Sequence, residues 1–315
     1  MKYKLTIVLF FLVTIIANAQ AKNYTEVEVR IPTSSVQING LLLTPPTATK
    51  PPLLILIPGS GPTDRDGNNV RMKNNSLKFL AEDLALKNIA TYRFDKSVLS
   101  YGKEDLEKID SLTFDIFINE AIAVIDYFKK SKAYSKIIIA GHSQGSLVGM
   151  IAAKGFADGF ISLAGTGRSI DEVLIEQIAK QAPFLKQETI TILEELKKGK
   201  TVEEFNPMLN SLFRKSVQPF LISWMKYNPQ NELKKLTIPV LIIHGSKDIQ
   251  VSHIDAELLH KTSNGSKLDI IENMNHLFKE IKGDLNENMA SYTNPELPVM
   301  KELTSIIATF INEIN

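Results

Sequence analysis

The 315-residue chain contains no cysteine. That absence excludes a disulfide scaffold, a zinc thiolate site, an iron–sulfur cluster and a thiol nucleophile, so any covalent chemistry must run through oxygen or nitrogen. An excess of charge of either sign is also missing, because 36 Lys and Arg stand against 35 Asp and Glu for a net +1. Nucleic acid is therefore not an expected partner, since phosphate binding needs a concentrated basic face. The short run Lys197, Lys198 and Lys200 reads as a solvated helix end. The five histidines do not cluster and no His-Glu-x-x-His pattern occurs, so neither a metal nor a cofactor is expected. No apolar run reaches the roughly 20 residues of a spanning helix. What is present, 44% apolar and 23% charged residues, is the composition of an ordinary globular protein with a large core.

The first twenty residues have the order of a secretory signal: Lys2 and Lys4, an uncharged run from Leu5 to Ala17, then the small-x-small triplet Ala17-Asn18-Ala19. Cleavage after Ala19 would leave Gln20 first, with residues 20–315 as a secreted or periplasmic domain that has no stable membrane insertion. An uncleaved anchor is the alternative.

Beyond Thr25, apolar runs of strand length alternate with longer amphipathic segments, which implies an α/β fold with a mainly parallel sheet and helices on both faces. Glu26–Ile31 and Val36–Leu43 read as an opening antiparallel pair. Leu53–Ile57, Ile89–Phe94, Lys136–Ala140, Phe160–Ala164, Val240–His244 and Lys267–Ile271 read as further strands. Helices are expected over Ser76–Lys87, Thr113–Lys130, Ser143–Lys154, around Ile254–His260, and from about Val299 to Ile314. Between about 169 and 236 the periodicity is helical with no convincing strand, as in a helical cap inserted into the fold. Ser169-Ile-Asp-Glu172 and Thr201-Val-Glu-Glu204 both fit the capping box and are expected to start helices there.

Gly141-His142-Ser143-Gln144-Gly145 falls where the strand Lys136–Ala140 meets a helix, so a serine occupies the apex of a tight strand-turn-helix corner. Such a corner needs its flanking glycines because side chains would not fit, and it lifts the hydroxyl out at the strand's C-terminal edge. On these residues the chain resembles the α/β-hydrolase superfamily, in which nucleophile, acid and histidine follow in that chain order. The resemblance runs from about Val36 to the C-terminus.

It implies an acid after a later strand and a histidine after the last one. Asp248, just beyond Val240–His244 in Gly245-Ser246-Lys247-Asp248, meets the first requirement; a plain turn aspartate is the alternative, and Asp255 within a helix fits less well. His276, after Lys267–Ile271, meets the second. His142 adjoins the serine and is expected to support the turn, while His244 is expected to be a satisfied core histidine. Ser143 is then the nucleophile, His276 its base and Asp248 the orienting acid. The resemblance also places the oxyanion-hole donors at the N–H of Gln144 and at Ser60 in Pro58-Gly59-Ser60-Gly61, with Gly61 as the alternative.

A narrower likeness, to bacterial serine carboxylesterases, rests on Gly59–Asn68, Tyr92–Lys96, Gln218–Trp224 and Asp248–Val251. The chain departs from that group at Ser97–Tyr101, where an Arg-Gly turn is expected. The likeness implies a small-molecule ester substrate, with short acyl chains favoured. Gly61 is expected to contact substrate through the close approach a glycine backbone allows, and Phe220 and Trp224 are expected either to line a substrate pocket or to be plain core. Asp64, Arg65 and Asp66 are expected either to touch substrate or to hold their loop. A serine aminopeptidase of the same fold is the nearest alternative, with Glu203 and Glu204 as possible holders of a substrate ammonium. A non-catalytic binding protein on this fold is the alternative of another class.

Overall fold

The computed structural model describes residues 23–314 apart from 34–35, 47–48 and 103–104, so the secretory-signal reading of residues 1–19 lies outside the described residues. Eight strands form one sheet: β1 (Thr25–Pro32), β2 (Gln37–Thr44), β3 (Leu53–Ile57), β4 (Ala90–Phe94), β5 (Ile137–His142), β6 (Gly159–Leu163), β7 (Val240–Gly245) and β8 (Lys267–Ile271). Their order is β1-β2-β4-β3-β5-β6-β7-β8. The pairings of β2 with β1 and β4 are antiparallel and the others are parallel. β3, β4, β5, β6 and β7 are buried along their whole length, which is why they read in the sequence as unbroken apolar runs rather than alternating ones.

Twelve helices accompany the strands among the described residues: α1 (Ser76–Ala85), α2 (Leu106–Asp110), α3 (Phe114–Ser131), α4 (Gln144–Ala152), α5 (Ile170–Gln181), α6 (Lys186–Lys197), α7 (Asn210–Phe213), α8 (Gln218–Trp224), α9 (Pro229–Leu233), α10 (His253–Thr262), α11 (Leu285–Ser291) and α12 (Lys301–Glu313). Side chains alternate across a strand, and β3 divides accordingly. Leu53, Ile55 and Ile57 join one core layer with Phe117, Ala121 and Val124 of α3, Leu147 of α4 and Leu259 of α10. Leu54 and Leu56 join the other, with Leu77, Leu80 and Leu84 of α1 and Leu303, Ile307 and Phe310 of α12. Those last residues recur every three or four positions, the spacing of one helix face.

Between β6 and β7 the chain forms α5 to α9 and no strand. Leu174, Leu185, Ile192, Leu193, Leu196, Leu209, Phe213 and Leu221 pack there as a third cluster. The capping box at Ser169 forms, with the Glu172 side chain accepting from the Ser169 N–H at 3.1 Å. The one expected at Thr201 does not start a helix: residues 201–206 are irregular. The Gln218 side chain there accepts from the Val202 N–H at 2.8 Å and donates to its C=O at 2.7 Å, and Glu188 accepts from the Asn206 N–H at 2.6 Å. These bonds replace the helical ones, and a helix starting at Thr201 would in any case meet Pro207 in its interior.

Candidate active site

β5 ends at His142 and α4 begins at Gln144, leaving Ser143 between them at φ 54°, ψ −119°. A side-chain-bearing residue avoids positive φ, at a cost of about 1–3 kcal/mol, unless its surroundings impose it. Here they do. A Cβ on Gly141 would lie 2.0 Å from the Gly145 carbonyl oxygen, and one on Gly145 would lie 2.5 Å from that of Ile57. The Ser143 N–H donates to Leu163 at 2.9 Å, and the Ser143 C=O accepts from Ser146 at 2.9 Å, fixing the corner to β6 and α4.

The loop after β3 packs against this corner, since a Cβ on Gly59 would stand 3.4 Å from the Ser143 Cβ. The loop is held by Thr63, whose Oγ1 donates to Ser60 at 2.8 Å and whose N–H donates to Gly61 at 2.9 Å. Among the described residues, no backbone acceptor pairs with the N–H of Ser60 or Gln144. Two donors are thus left unused beside the serine, as stabilisation of a developing oxyanion requires.

On the other side, Asp248 follows β7 and His276 follows β8. His276 Nδ1 lies 2.7 Å from Asp248 Oδ2, with both side chains almost fully buried. Asp248 Oδ1 accepts from the N–H groups of Gln250 and Val251 at 2.8 and 2.9 Å. Burial by itself pushes this carboxyl up, but the charge of His276 and the hydrogen bonds from His244 and His276 outweigh it and hold it well below the carboxylate range. An ionised Asp248 can only accept, so the proton sits on His276 Nδ1 and leaves Nε2 as the basic nitrogen. His276 and Ser143 line the same small cavity of about 60 Å³, together with Ser60.

Three further residues support this arrangement. His142 Nε2 lies 3.0 Å from the His276 carbonyl, which can only accept, and the two rings lie 4.8 Å apart. Burial and the nearby His276 charge pull the His142 imidazole down to about 3, so it stays neutral. Asn275 Oδ1 accepts from the Leu277 and Lys279 N–H groups at 3.0 and 2.9 Å, and its Nδ2 ties the histidine loop to Asn288 and Ser291 of α11 at 3.0 and 2.8 Å. His244 does more than fill core: its Nε2 lies 3.2 Å from Asp248 Oδ2 and 2.9 Å from the Val251 carbonyl. The sequence places His142 in support of the turn but carries no local signal that His244 and Asn275 serve Asp248 and the His276 loop, because those contacts are made across neighbouring strands and loops.

Other expected residues lie elsewhere. Phe220 and Trp224 pack against Phe114, the Trp224 ring stacked on it at 5.3 Å, and neither lines the cavity that holds Ser143. They continue the apolar face that α8 lays against α3, which is the core reading of these aromatics. Gly61 is not in the lining either, although its carbonyl accepts from Lys96 at 3.3 Å. Asp64, Arg65 and Asp66 hold their loop: Asp64 Oδ1 accepts from the Asp66 and Asn68 N–H groups, Arg65 makes paired bonds to Asp95, and Asp66 pairs with Arg93 at 2.8 Å. Asp255 is fully buried and engaged by Arg168 through Nε at 3.0 Å and Nη2 at 2.6 Å. Glu203 is exposed and pairs with Lys215 at 3.4 Å, and Glu204 is exposed as well. A wider cavity of about 560 Å³ opens between α5 and the loop after β7, and it is lined by Asp248, the partner of His276, and shares Gln250 with the serine cavity.

No family model matches the chain. It is 29% identical over 262 residues to an esterase, EstD, of Thermotoga maritima, a match that covers 77% of this chain. The chain spans 59% of the length of that curated relative. Among solved structures it superposes on Est1E from Butyrivibrio proteoclasticus with a TM-score of 0.58 at 21% identity, covering 91% of this chain and 99% of that one. An esterase of Pyrococcus furiosus superposes with a TM-score of 0.56 at 14% identity, covering 92% of each chain. The strand order, the corner at Ser143 and these superpositions agree: the chain has the α/β-hydrolase fold.

Proposed function

We propose that this protein is a secreted serine hydrolase that cleaves small-molecule carboxylic esters, short acyl chains preferred, through an acyl-enzyme on Ser143. The observation that carries the reading is His276, held 2.7 Å from Asp248 and lining the same cavity as a serine at positive φ. A hydroxyl is a poor nucleophile at neutral pH. His276 Nε2 takes the Ser143 proton as Oγ bonds to the ester carbonyl carbon, and the N–H groups of Gln144 and Ser60 receive the resulting oxyanion. Collapse breaks the bond to the alcohol oxygen, which leaves with the proton from His276. Water then repeats the sequence on the acyl-enzyme and releases the acid.

Ester cleavage is favoured over aminopeptidase action because the lining of the serine cavity contains no carboxylate to hold a substrate ammonium. The small size of that cavity supports a short acyl group, and the likeness to EstD supports an ester substrate. Secretion is supported by Lys2, Lys4, the run Leu5–Ala17 and Ala17-Asn18-Ala19.

The test is incubation with a fluorophosphonate, the adduct mapped by mass spectrometry, alongside turnover of p-nitrophenyl acetate, butyrate and octanoate. Phosphonylation at Ser143, fastest turnover of acetate, and loss of both in a folded Ser143→Ala variant are expected. Labelling without ester turnover would refute the ester reading, and no labelling would refute the serine mechanism.

A further inference from the structure

Among the described residues, a buried cation that the reaction does not use lies beside the Ser143 corner. Lys96 follows β4, and its side chain runs inward until it is only 3% exposed. Its Nζ donates to Gln144 Oε1 at 2.8 Å and to the Gly61 carbonyl at 3.3 Å, and it lies 4.4 Å from the centre of the Phe117 ring of α3. The charged group facing it is Glu120, one turn further along α3, whose Oε2 accepts from the Ser97 N–H at 3.4 Å and whose Oε1 has no partner. Burying an ammonium is costly, and an apolar side chain of similar length would fill this space more cheaply. Burial pulls the Lys96 amine down to about 7, partly opposed by Glu120, which reflects that cost.

What Lys96 bridges gives the cost a purpose. Gln144 offers one oxyanion donor through its backbone N–H, and Gly61 directly follows Ser60, which offers the other. These residues lie on separate segments, one opening α4 and the other in the loop after β3, and Lys96 bonds to both at once. We propose that Lys96 is a positioning residue that sets the relative placement of the two oxyanion-hole amides. The inference rests on the serine-hydrolase reading above. Its effect falls on the tetrahedral species, which needs both amides, rather than on the ground-state ester.

The test compares the full-length wild type with Lys96→Met, Gln144→Leu and the double variant, each verified as folded by urea unfolding. kcat and KM for p-nitrophenyl acetate are measured, with the affinity for phenylboronic acid, which forms a tetrahedral adduct on an activated serine. Lys96→Met is expected to lower kcat and boronate affinity together by about 10- to 100-fold, with KM within about 3-fold, as for a loosened oxyanion donor. The double variant is expected to match the worse single one, since both substitutions break the same link. Wild-type kcat in Lys96→Met, unchanged boronate affinity, or losses that multiply in the double variant would overturn the inference.

If Lys96→Met does not fold, the absence of other cysteines offers a second route. Lys96→Cys can be alkylated while unfolded, with 2-bromoethylamine to rebuild a lysine-like cation or with iodoacetamide to leave a neutral amide, and then refolded. Activity and boronate affinity restored only by the cation are expected; equal behaviour of the two forms would overturn the role. Wild-type labelling and ester turnover judge the underlying reading separately, and boronate binding requires no particular ester.

Discussion

Acid should destabilise this protein through His142 before it does so through Asp248. In the native state the His142 imidazole is held near 3, chiefly by burial and then by the charge of His276, whereas its ordinary value is 6.5. Between those values the unfolded chain binds a proton that the native one refuses. Stability therefore rises with pH through the window and is lost as pH falls below 6.5. At about pH 4.5, two units below the unfolded value, the loss is about 2.7 kcal/mol at 1.36 kcal/mol per unit. That figure depends little on the native value so long as it lies below 4. Asp248, held low, adds its own loss only below its ordinary value of 3.8, outside this window. The comparison is with His142→Gln, which can still donate to the His276 carbonyl. Urea unfolding at about pH 7.5 and 4.5 should show the wild type losing about 2.7 kcal/mol more than the variant. Because other titrating groups are shared, they cancel in the difference. Parallel losses, within about 0.5 kcal/mol, would refute the assignment of a neutral buried His142.

Three other outcomes are expected. Asp248→Asn removes the acceptor that fixes the His276 proton on Nδ1, and kcat on p-nitrophenyl acetate should fall about 10⁴-fold; a loss under about tenfold would contradict the tautomer argument. Gly145→Ala drives a Cβ to 2.5 and 2.6 Å from the carbonyl oxygens of Ile57 and Pro58, both backbone, so thermal unfolding should register a loss of about 2 kcal/mol or more. An unchanged melting temperature would mean that the corner can shift. Asp255→Ala leaves Arg168 without its buried partner, and because that guanidinium is itself about a quarter exposed the expected cost is about 2 kcal/mol rather than the full value for a buried pair, measured by urea unfolding.

The central strands are legible because burial on both faces demands an unbroken apolar run, and Leu53–Ile57 coincides with its predicted bounds; the edge strand Lys267–Ile271 does so too, although only Ile271 is buried. The corner at Ser143 was legible because its geometry excludes side chains at Gly141 and Gly145, which leaves a mark in the residue types themselves. The helix expected at Thr201 does not form because a capping box is a local signal, and the bonds between Val202 and Gln218, sixteen residues apart, outcompete it. The contacts of Lys96, His244 and Asn275 are not legible in the sequence, although Lys96 falls within the Tyr92–Lys96 likeness and His244 reads as a core histidine. What each does depends on which strand or loop lies beside it, and that order is a property of the folded sheet.

The helical segment between β6 and β7 has a further consequence through its separate cluster, none of whose buried members belongs to a strand. The buried members of that cluster, Leu174, Ile192, Leu196 and Phe213 among them, are none of those that form the layers bracing β5. Trp224 is the seam, packed partly against this cluster and partly against the main core. None of these residues lines the cavity that holds Ser143, so substitutions that repack this segment carry little risk to the serine's own geometry.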